Sequence, residues 1–194
     1  THKHAIPIYI LLSSAESFYG MRDEKLCNCL CLQFESSFEV KVKDLTVKAF
    51  PTSHDSRAAV GYRLSFCDDG DEYSIGYATD TGYVTDAMRE NFKNCFAAVI
   101  ESNHDVDMLR EGPYPAELKQ RIKSKKGHLS NADCAEFAAE LYSSGTRHIM
   151  LAHLSEENND PSLAYNEVFS SIADENVDLK VATQDSAVRL FWEE

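Results

Sequence analysis

An apolar run that stops on a histidine or an acid recurs along this chain, and that recurrence restricts the folds open to it. Ile75 to Ala78 is one such run; Asp80 follows it and Gly82 ends it. Phe96 to Ile100 ends at Glu101, His148 to Ala152 ends at His153, and the alternating segment Leu45, Val47, Ala49 leads into His54. Short apolar runs bounded by turn residues read as buried strands. A carboxylate at a strand end before a turn is well placed to face a cleft, although a single Asp in that position most often just starts the turn.

Between these runs the pattern changes along the chain. Residues 6–11 predict a strand, and residues 13–25 a loop with some helix. Phe38, Val40 and Val42 alternate with charged residues, as do the positions from Leu45, giving two antiparallel strands that turn at Asp44. Ala59 to Phe66 and Tyr73 to Thr79 form the next pair, joined at Asp68-Asp69-Gly70-Asp71. From Asp86 onward helices enter. Asp86 to Lys93 is helical, and a second helix follows Pro115 with Leu118 and Ile122 facing inward. Ser130 and Asp133 form a capping box ahead of Cys134, Phe137, Ala138 and Leu141, and Gly145 stops that helix. Asp160-Pro161 opens another, with Ala164, Val168 and Ile172 on one face, and Leu179 to Ala182 is a closing strand. Strands alternating with helices imply helices covering a sheet.

At 194 residues with 43% hydrophobic content, residues 1–194 are expected to form a single domain with a proper core. No stretch is apolar enough to span a membrane and no signal peptide is evident, so the six cysteines are expected as reduced thiols in a cytoplasm. Cys27, Cys29 and Cys31 would share one face of a strand, where they read as small buried hydrophobes rather than a metal cluster. A net charge of −13 argues against broad electrostatic capture of nucleic acid. A local basic patch remains, since Lys119, Arg121, Lys123, Lys125 and Lys126 crowd the segment before His128.

Five short motifs stand in order: Pro51-Thr52-Ser53-His54-Asp55, the Gly76–Gly82 stretch, Glu101-Ser102-Asn103-His104-Asp105, Gly127-His128-Leu129-Ser130-Asn131 and Leu151-Ala152-His153-Leu154-Ser155. Each alone is weak. Their order resembles the later metal motifs of the metallo-β-lactamase fold, above all its WalJ/YycJ-like branch and more distantly ribonuclease Z. The resemblance covers nearly the whole chain from Ile6. It implies an α/β (α+β) fold, the metallo-β-lactamase αββα sandwich: two mixed β-sheets packed together with helices outside and a metal site at one edge. At the start the match breaks. His2 and His4 fit the first two positions of the family's H-x-H-x-D-H motif, but Ile6 and Pro7 stand in place of its Asp and last His. The N-terminal part of the first half-domain is also missing ahead of Thr1, and omission of segments is the expectation, because the later motifs are intact.

By the same resemblance, His2, His4 and His54 bind one metal, Asp80 bridges to a second, and His153 holds the second. Imidazole nitrogen and carboxylate oxygen suit zinc, manganese or iron, so two divalent ions of these kinds are expected. Glu101 is expected to orient His128, which would contact the scissile phosphate and protonate the leaving group; a carboxylate on one ring nitrogen fixes the tautomer of the other. His104, Ser130 and Asn131 are expected at the substrate. His148 has no such context and reads as structural.

The function implied is a metal-dependent phosphodiesterase, a DNA exonuclease-like enzyme that uses metal-activated hydroxide and meets its DNA substrate through the local basic patch. Two alternatives stay open: a metallo-hydrolase of small esters, lactones or thioesters, which suits the acidic pI of about 4.9, and a non-catalytic metal-binding regulatory module, which the absent Asp-His pair motivates.

Overall fold

The structure, a computed structural model, describes residues 6–15, 30–33, 35 and 37–190. His2, His4, Cys27 and Cys29 lie outside the described residues. Strands β1 (Ile8–Leu11) and β2 (Leu30–Gln33) pair in parallel, with Cys31 opposite Tyr9. The remaining strands form one sheet in chain order: β3 (Glu39–Val42), β4 (Leu45–Pro51), β5 (Val60–Asp68), β6 (Asp71–Ala78), β7 (Ala97–Glu101), β8 (His148–Ala152) and β9 (Asp178–Val181). The expected mixed sheet is therefore seven-stranded, and the other sheet described is the β1–β2 pair.

The sheet changes character at β6. From β3 to β6 it is an antiparallel meander with tight turns: Lys43 at φ +56° in the first, Asp69 at +47° and Gly70 at +95° in the last. Positive φ at both central residues matches the right-handed twist of the flanking strands, and the Asp-Gly pair supplies it. From β6 to β9 every pairing is parallel, so each connection crosses over through helical structure. These connections carry α1 (Asp86–Phe92), α2 (Val106–Glu111), α3 (Ala116–Ile122), α4 (Asn131–Ser143) and α5 (Pro161–Ile172). The short α2 was not expected from sequence.

The caps are those the sequence offered. The Ser130 hydroxyl accepts from Asp133 N at 3.1 Å and opens α4. Asp160 accepts from Ser162 N at 2.7 Å with Pro161 in the first turn, and opens α5. Each such cap contributes about 1 kcal/mol. Alternate strand residues face the helices: Ala98 and Ile100 of β7 and Ile149 and Leu151 of β8 join Phe50, Met88, Phe92, Phe137 and Val168 in one buried cluster. Phe92 meets Phe50 and Phe137 edge-on, at ring separations of 6.0 and 5.4 Å. At roughly 1.5–3 kcal/mol for each large apolar side chain removed from water, this cluster holds the helices on the sheet. Among the described residues, no helix is long and apolar enough to cross a membrane.

Candidate active site

Strands β6, β7 and β8 run parallel, and β4 runs the same way because both β4 and β6 are antiparallel to β5. Their carboxyl ends therefore open on one edge of the sheet, and His54, Asp80, Glu101 and His153 all emerge there. In open α/β sheets, ligands bind beyond the carboxyl ends of the strands. His128 joins them from the α3–α4 connection.

Glu101 is the centre of this group. It is fully buried. Its Oε1 receives hydrogen bonds from Nδ1 of His128 and Nδ1 of His153, both at 2.7 Å. Its Oε2 accepts from Thr81 N at 2.8 Å. Burial pushes its pKa up, but the bonds from His128, His153 and Thr81 outweigh burial and hold the carboxyl below its ordinary range. In return, the bond to Glu101 raises the basicity of His153 against the opposing effect of burial. The sequence pointed to the Glu101–His128 pair; the second bond, to His153, it did not reveal.

The two exposed ends of the site hold unusual backbone. Asp80 has φ +55° and His153 φ +60°. Asp and His tolerate this left-handed region better than most residues, but it still costs energy, and such strain collects at functional sites. The loops are tied to hold it. Thr52 Oγ1 donates to Asp80 O at 3.1 Å, Gly82 N donates to Ser53 O at 2.8 Å, and Asn103 Nδ2 donates to His153 O at 2.8 Å.

His54 is oriented by Gly127, whose carbonyl lies 2.9 Å from Nδ1. That leaves Nε2 between Asp55 Oδ1, at 3.4 Å, and Asp80. Asp80 Oδ1 then lies 3.7 Å from His54 Nε2, 3.8 Å from His153 Nε2 and 3.9 Å from His128 Nδ1. The three imidazoles stand in a row, with ring centres 4.9 Å apart from His54 to His128 and 5.2 Å from His128 to His153. Donor atoms around one tetrahedral ion at zinc-like bond lengths stand about 3.3 Å apart. Among the described residues, the ligand atoms of His54, Asp80 and His128 lie within 4.8 Å of one another, as do those of Glu101, His128 and His153; His54 and His153 each have Nδ1 occupied by an orienting partner, as metal-binding histidines generally do. His128, with Nδ1 given to Glu101, stands between them.

A cleft of about 560 Å³ opens over this row, lined by His54, Asp80, His128 and His153 and also by Asn103, Arg121 and Gln184. Asn103 belongs to the Glu-Ser-Asn-His-Asp motif, whereas no local signal marks Gln184. Beneath the cleft, Asn131 is fully buried. Its Oδ1 accepts from Ser102 Oγ at 2.7 Å, and its Nδ2 donates to Asn159 Oδ1 at 2.8 Å. The structure therefore places Asn131 in the framework under the site, away from the cleft surface. Ser130 caps α4, with its hydroxyl 2.6 Å from Asp133 Oδ2. His104 is 3% exposed, and its Nδ1 has no hydrogen-bond partner. Burial drives its pKa down to about 4, only partly opposed by the Glu101 charge.

The basic run is more dispersed than the sequence implied. Arg121 pairs with Asp55, Lys119 Nζ donates to Arg110 O at 2.8 Å, and Lys125 sits over the Tyr83 ring at 5.7 Å. His148 stands at the start of β8, with Nδ1 3.0 Å from Asp178 Oδ2.

Residues 13–154 fit the model described as the beta-lactamase superfamily domain, and the chain belongs to that superfamily. Within it, Exodeoxyribonuclease WalJ of Streptococcus pneumoniae serotype 2 is 42% identical over 142 residues, covering 71% of this chain and 51% of that protein. Exodeoxyribonuclease YycJ of Bacillus anthracis is 43% identical over 121 residues, 62% of this chain and 44% of that one. The chain spans about half the length of these curated relatives. The metallo-beta-lactamase fold protein YhfI of Bacillus subtilis superposes with a TM-score of 0.64 at 18% identity, covering 91% of this chain and 61% of that one. Human tRNase Z, short form, superposes with a TM-score of 0.54 at 15% identity, covering 91% and 65%. The fold is that of the family.

Proposed function

We propose that the site hydrolyses phosphodiester bonds in DNA with the help of two divalent cations. The observation that carries this is the single oxygen of Glu101 bound by both His128 and His153 at 2.7 Å. One buried carboxylate thereby sets the ring orientation of a metal-binding histidine and of a proton-transferring one together. The names of the two relatives, both exodeoxyribonucleases, support the DNA substrate.

His2, His4 and His54 would hold one cation, and Asp80 and His153 would hold a second; the mixed nitrogen and oxygen donors suit zinc, manganese or iron. Such a cation supplies charge neutralisation at a phosphoryl group and an acidified water. The protein's own part is positional and protonic. His128 keeps its Nδ1 proton on Glu101, so Nε2 is the nitrogen that serves the cleft. From there it holds a proton for the departing oxygen of the cleaved strand. Asn103 and Arg121 line the path of the strand.

The test is cleavage of duplex DNA by protein loaded with zinc or manganese, beside a His128→Ala variant of equal metal content. General acid–base assistance accounts for roughly 10²–10⁴ in rate, and a loss of that size is expected. An unchanged rate would remove His128 from the chemistry. A second substrate class, small esters or thioesters, is favoured by the acidic residues Glu156 and Glu157 on the cleft wall; turnover of an ester panel in place of DNA would establish it.

A further inference from the structure

Where the chain leaves β7 it runs between two loops, the one that carries His128 and the one that carries His153. Its backbone N–H groups point to them in turn: Ser102 N donates to Ala152 O at 2.9 Å, and Asn103 N donates to Leu129 O at 2.9 Å. Side chains on such an extended segment alternate in direction. Glu101 and Asn103 fall on one side, while Ser102 between them turns the other way and donates from Oγ to Asn131 Oδ1 at 2.7 Å. Both residues of the shared side reach His153. Glu101 Oε1 takes the ring at Nδ1, 2.7 Å away, and Asn103 Nδ2 donates to the backbone carbonyl at 2.8 Å. His153 is thus held at two points, one on its ring and one on its backbone.

The second point matters because of the backbone it fixes. His153 has φ +60°, and a residue with a Cβ keeps that left-handed conformation only where its surroundings over-determine it. His153 is itself exposed, so packing does little to hold it. Its ring must nevertheless turn back from the loop to a fully buried carboxylate. If φ relaxed to an ordinary value, Cβ would swing and carry the ring off Glu101. Asn103 is buried, and its amide is the side-chain donor on this carbonyl. Its other ties run through its own backbone: N to Leu129 O in the His128 loop, and O from Ser155 N at 2.8 Å in the His153 loop. A change of side chain at position 103 therefore leaves the His128 loop attached and cuts only the bond to His153.

We propose that Asn103 is the positioning residue of His153: its amide holds the left-handed turn that lets the ring bond Glu101 through Nδ1 and present Nε2 to the cleft. This rests on the reading above that His153 is a cation ligand. The two residues of the shared side then divide the work. Glu101 orients His128 and His153 together, whereas Asn103 acts on His153 alone.

The test reads the tautomer of each imidazole by long-range proton–nitrogen correlation spectra of the full chain with isotopically labelled histidine, at a mildly alkaline pH, before and during addition of zinc. Wild type is expected to show the Nδ1–H tautomer for both His128 and His153. In Asn103→Ala, His153 is expected to become a mixture of tautomers while His128 keeps Nδ1–H, and zinc affinity is expected to fall roughly 10–100-fold, the usual effect of losing an orienting partner. Asn103→Asp keeps the outline of the side chain but has no donor. It is expected to free the His153 ring in the same way, although its charge alone would attract a cation. Asn91→Ala is the control. It removes another buried amide, whose Nδ2 donates to Ala87 O at 2.8 Å within α1, and it should leave both rings as in wild type. A His153 ring that keeps Nδ1–H in both Asn103 variants overturns the proposal. So does a His128 ring that changes along with His153, or a His153 ring that changes equally in Asn91→Ala, since either would make Asn103 a general prop of the fold. Wild type that binds no zinc while the rings respond as expected removes the cation reading and leaves the positioning of His153 in place.

Discussion

Glu101 Oε1 lies 2.7 Å from Nδ1 of His128 and 2.7 Å from Nδ1 of His153, two rings contributed by different segments of the chain. The carboxylate is an acceptor for both and for Thr81 N. Glu101→Gln keeps the shape but replaces one oxygen with an NH₂ group, which would face an N–H donor. Loss of such an orienting partner typically costs 10–100-fold in metal affinity or activity. We expect a fall of that order in both, with the fold retained. Metal content after dialysis and the DNA cleavage rate check it, and a Gln variant that keeps full metal and full rate would refute the joint role.

His104 gives a pH signature in the metal-free protein. Its pKa falls from 6.5 to about 4 because the ring is buried. The unfolded chain therefore binds more protons between those values, so this residue's contribution to stability grows as pH rises from about 4 to 6.5 and is lost on the way down. The full span is on the order of 3 kcal/mol. Urea unfolding of wild type and His104→Gln across this range should show a shallower acid loss in the variant. Parallel curves would mean that His104 titrates normally in the fold.

Asp55 masks a cation at the cleft. It pairs with Arg121 through two contacts, one of them 3.1 Å from Nη2 to Oδ1, and that bond holds its carboxyl below the ordinary range. Asp55→Asn leaves the guanidinium available to a phosphate. One added phosphate contact steepens the slope of log binding constant against log salt by about one. Anisotropy titrations with duplex DNA at several salt concentrations measure this; an unaltered slope would place Arg121 away from the strand.

Thiol reactivity should divide the described cysteines. Burial raises the pKa of the Cys95 and Cys134 thiols, and both are at most 1% exposed. Cys67 is exposed. Iodoacetamide followed by peptide mass mapping should label Cys67 in the native protein and leave Cys95 and Cys134 untouched until denaturant is added. Native labelling of Cys134 would show that α4 opens from the sheet.

What could be read from the sequence was what neighbouring residues decide. The Ser130–Asp133 and Asp160-Pro161 caps, the Asp69-Gly70 turn and the alternating strands all announce themselves within a few positions. The site's parts were visible too, because each follows an apolar strand. Their wiring was not, since Glu101 joins His128 and His153 across 27 and 52 residues, and no local spacing encodes that. Helix α2 escaped notice because six residues with one buried side chain, Leu109, carry no periodicity. Asn131 was expected at the substrate from its place beside His128. As the first residue of α4 it instead turns inward to Ser102 and Asn159, a direction that only the packed helix fixes.

Gly127 supplies the last test, of how closely the chain must approach itself for His54 and His128 to meet. A Cβ at Gly127 would collide with the Ile122 and Arg121 carbonyls at the end of α3. Its own carbonyl is the partner of His54 Nδ1 at 2.9 Å. Gly127→Ala must push this segment away, costing about 1–3 kcal/mol by overpacking and releasing His54 from its orientation. Gly145 provides the control: it has φ +110° and open space around it, so Gly145→Ala strains the backbone by about 1–2 kcal/mol and leaves the site alone. Urea unfolding and metal stoichiometry should then separate the two variants, with both less stable and only Gly127→Ala poor in metal. If Gly127→Ala binds metal as Gly145→Ala does, the carbonyl of Gly127 is not what sets His54 for its ligand role.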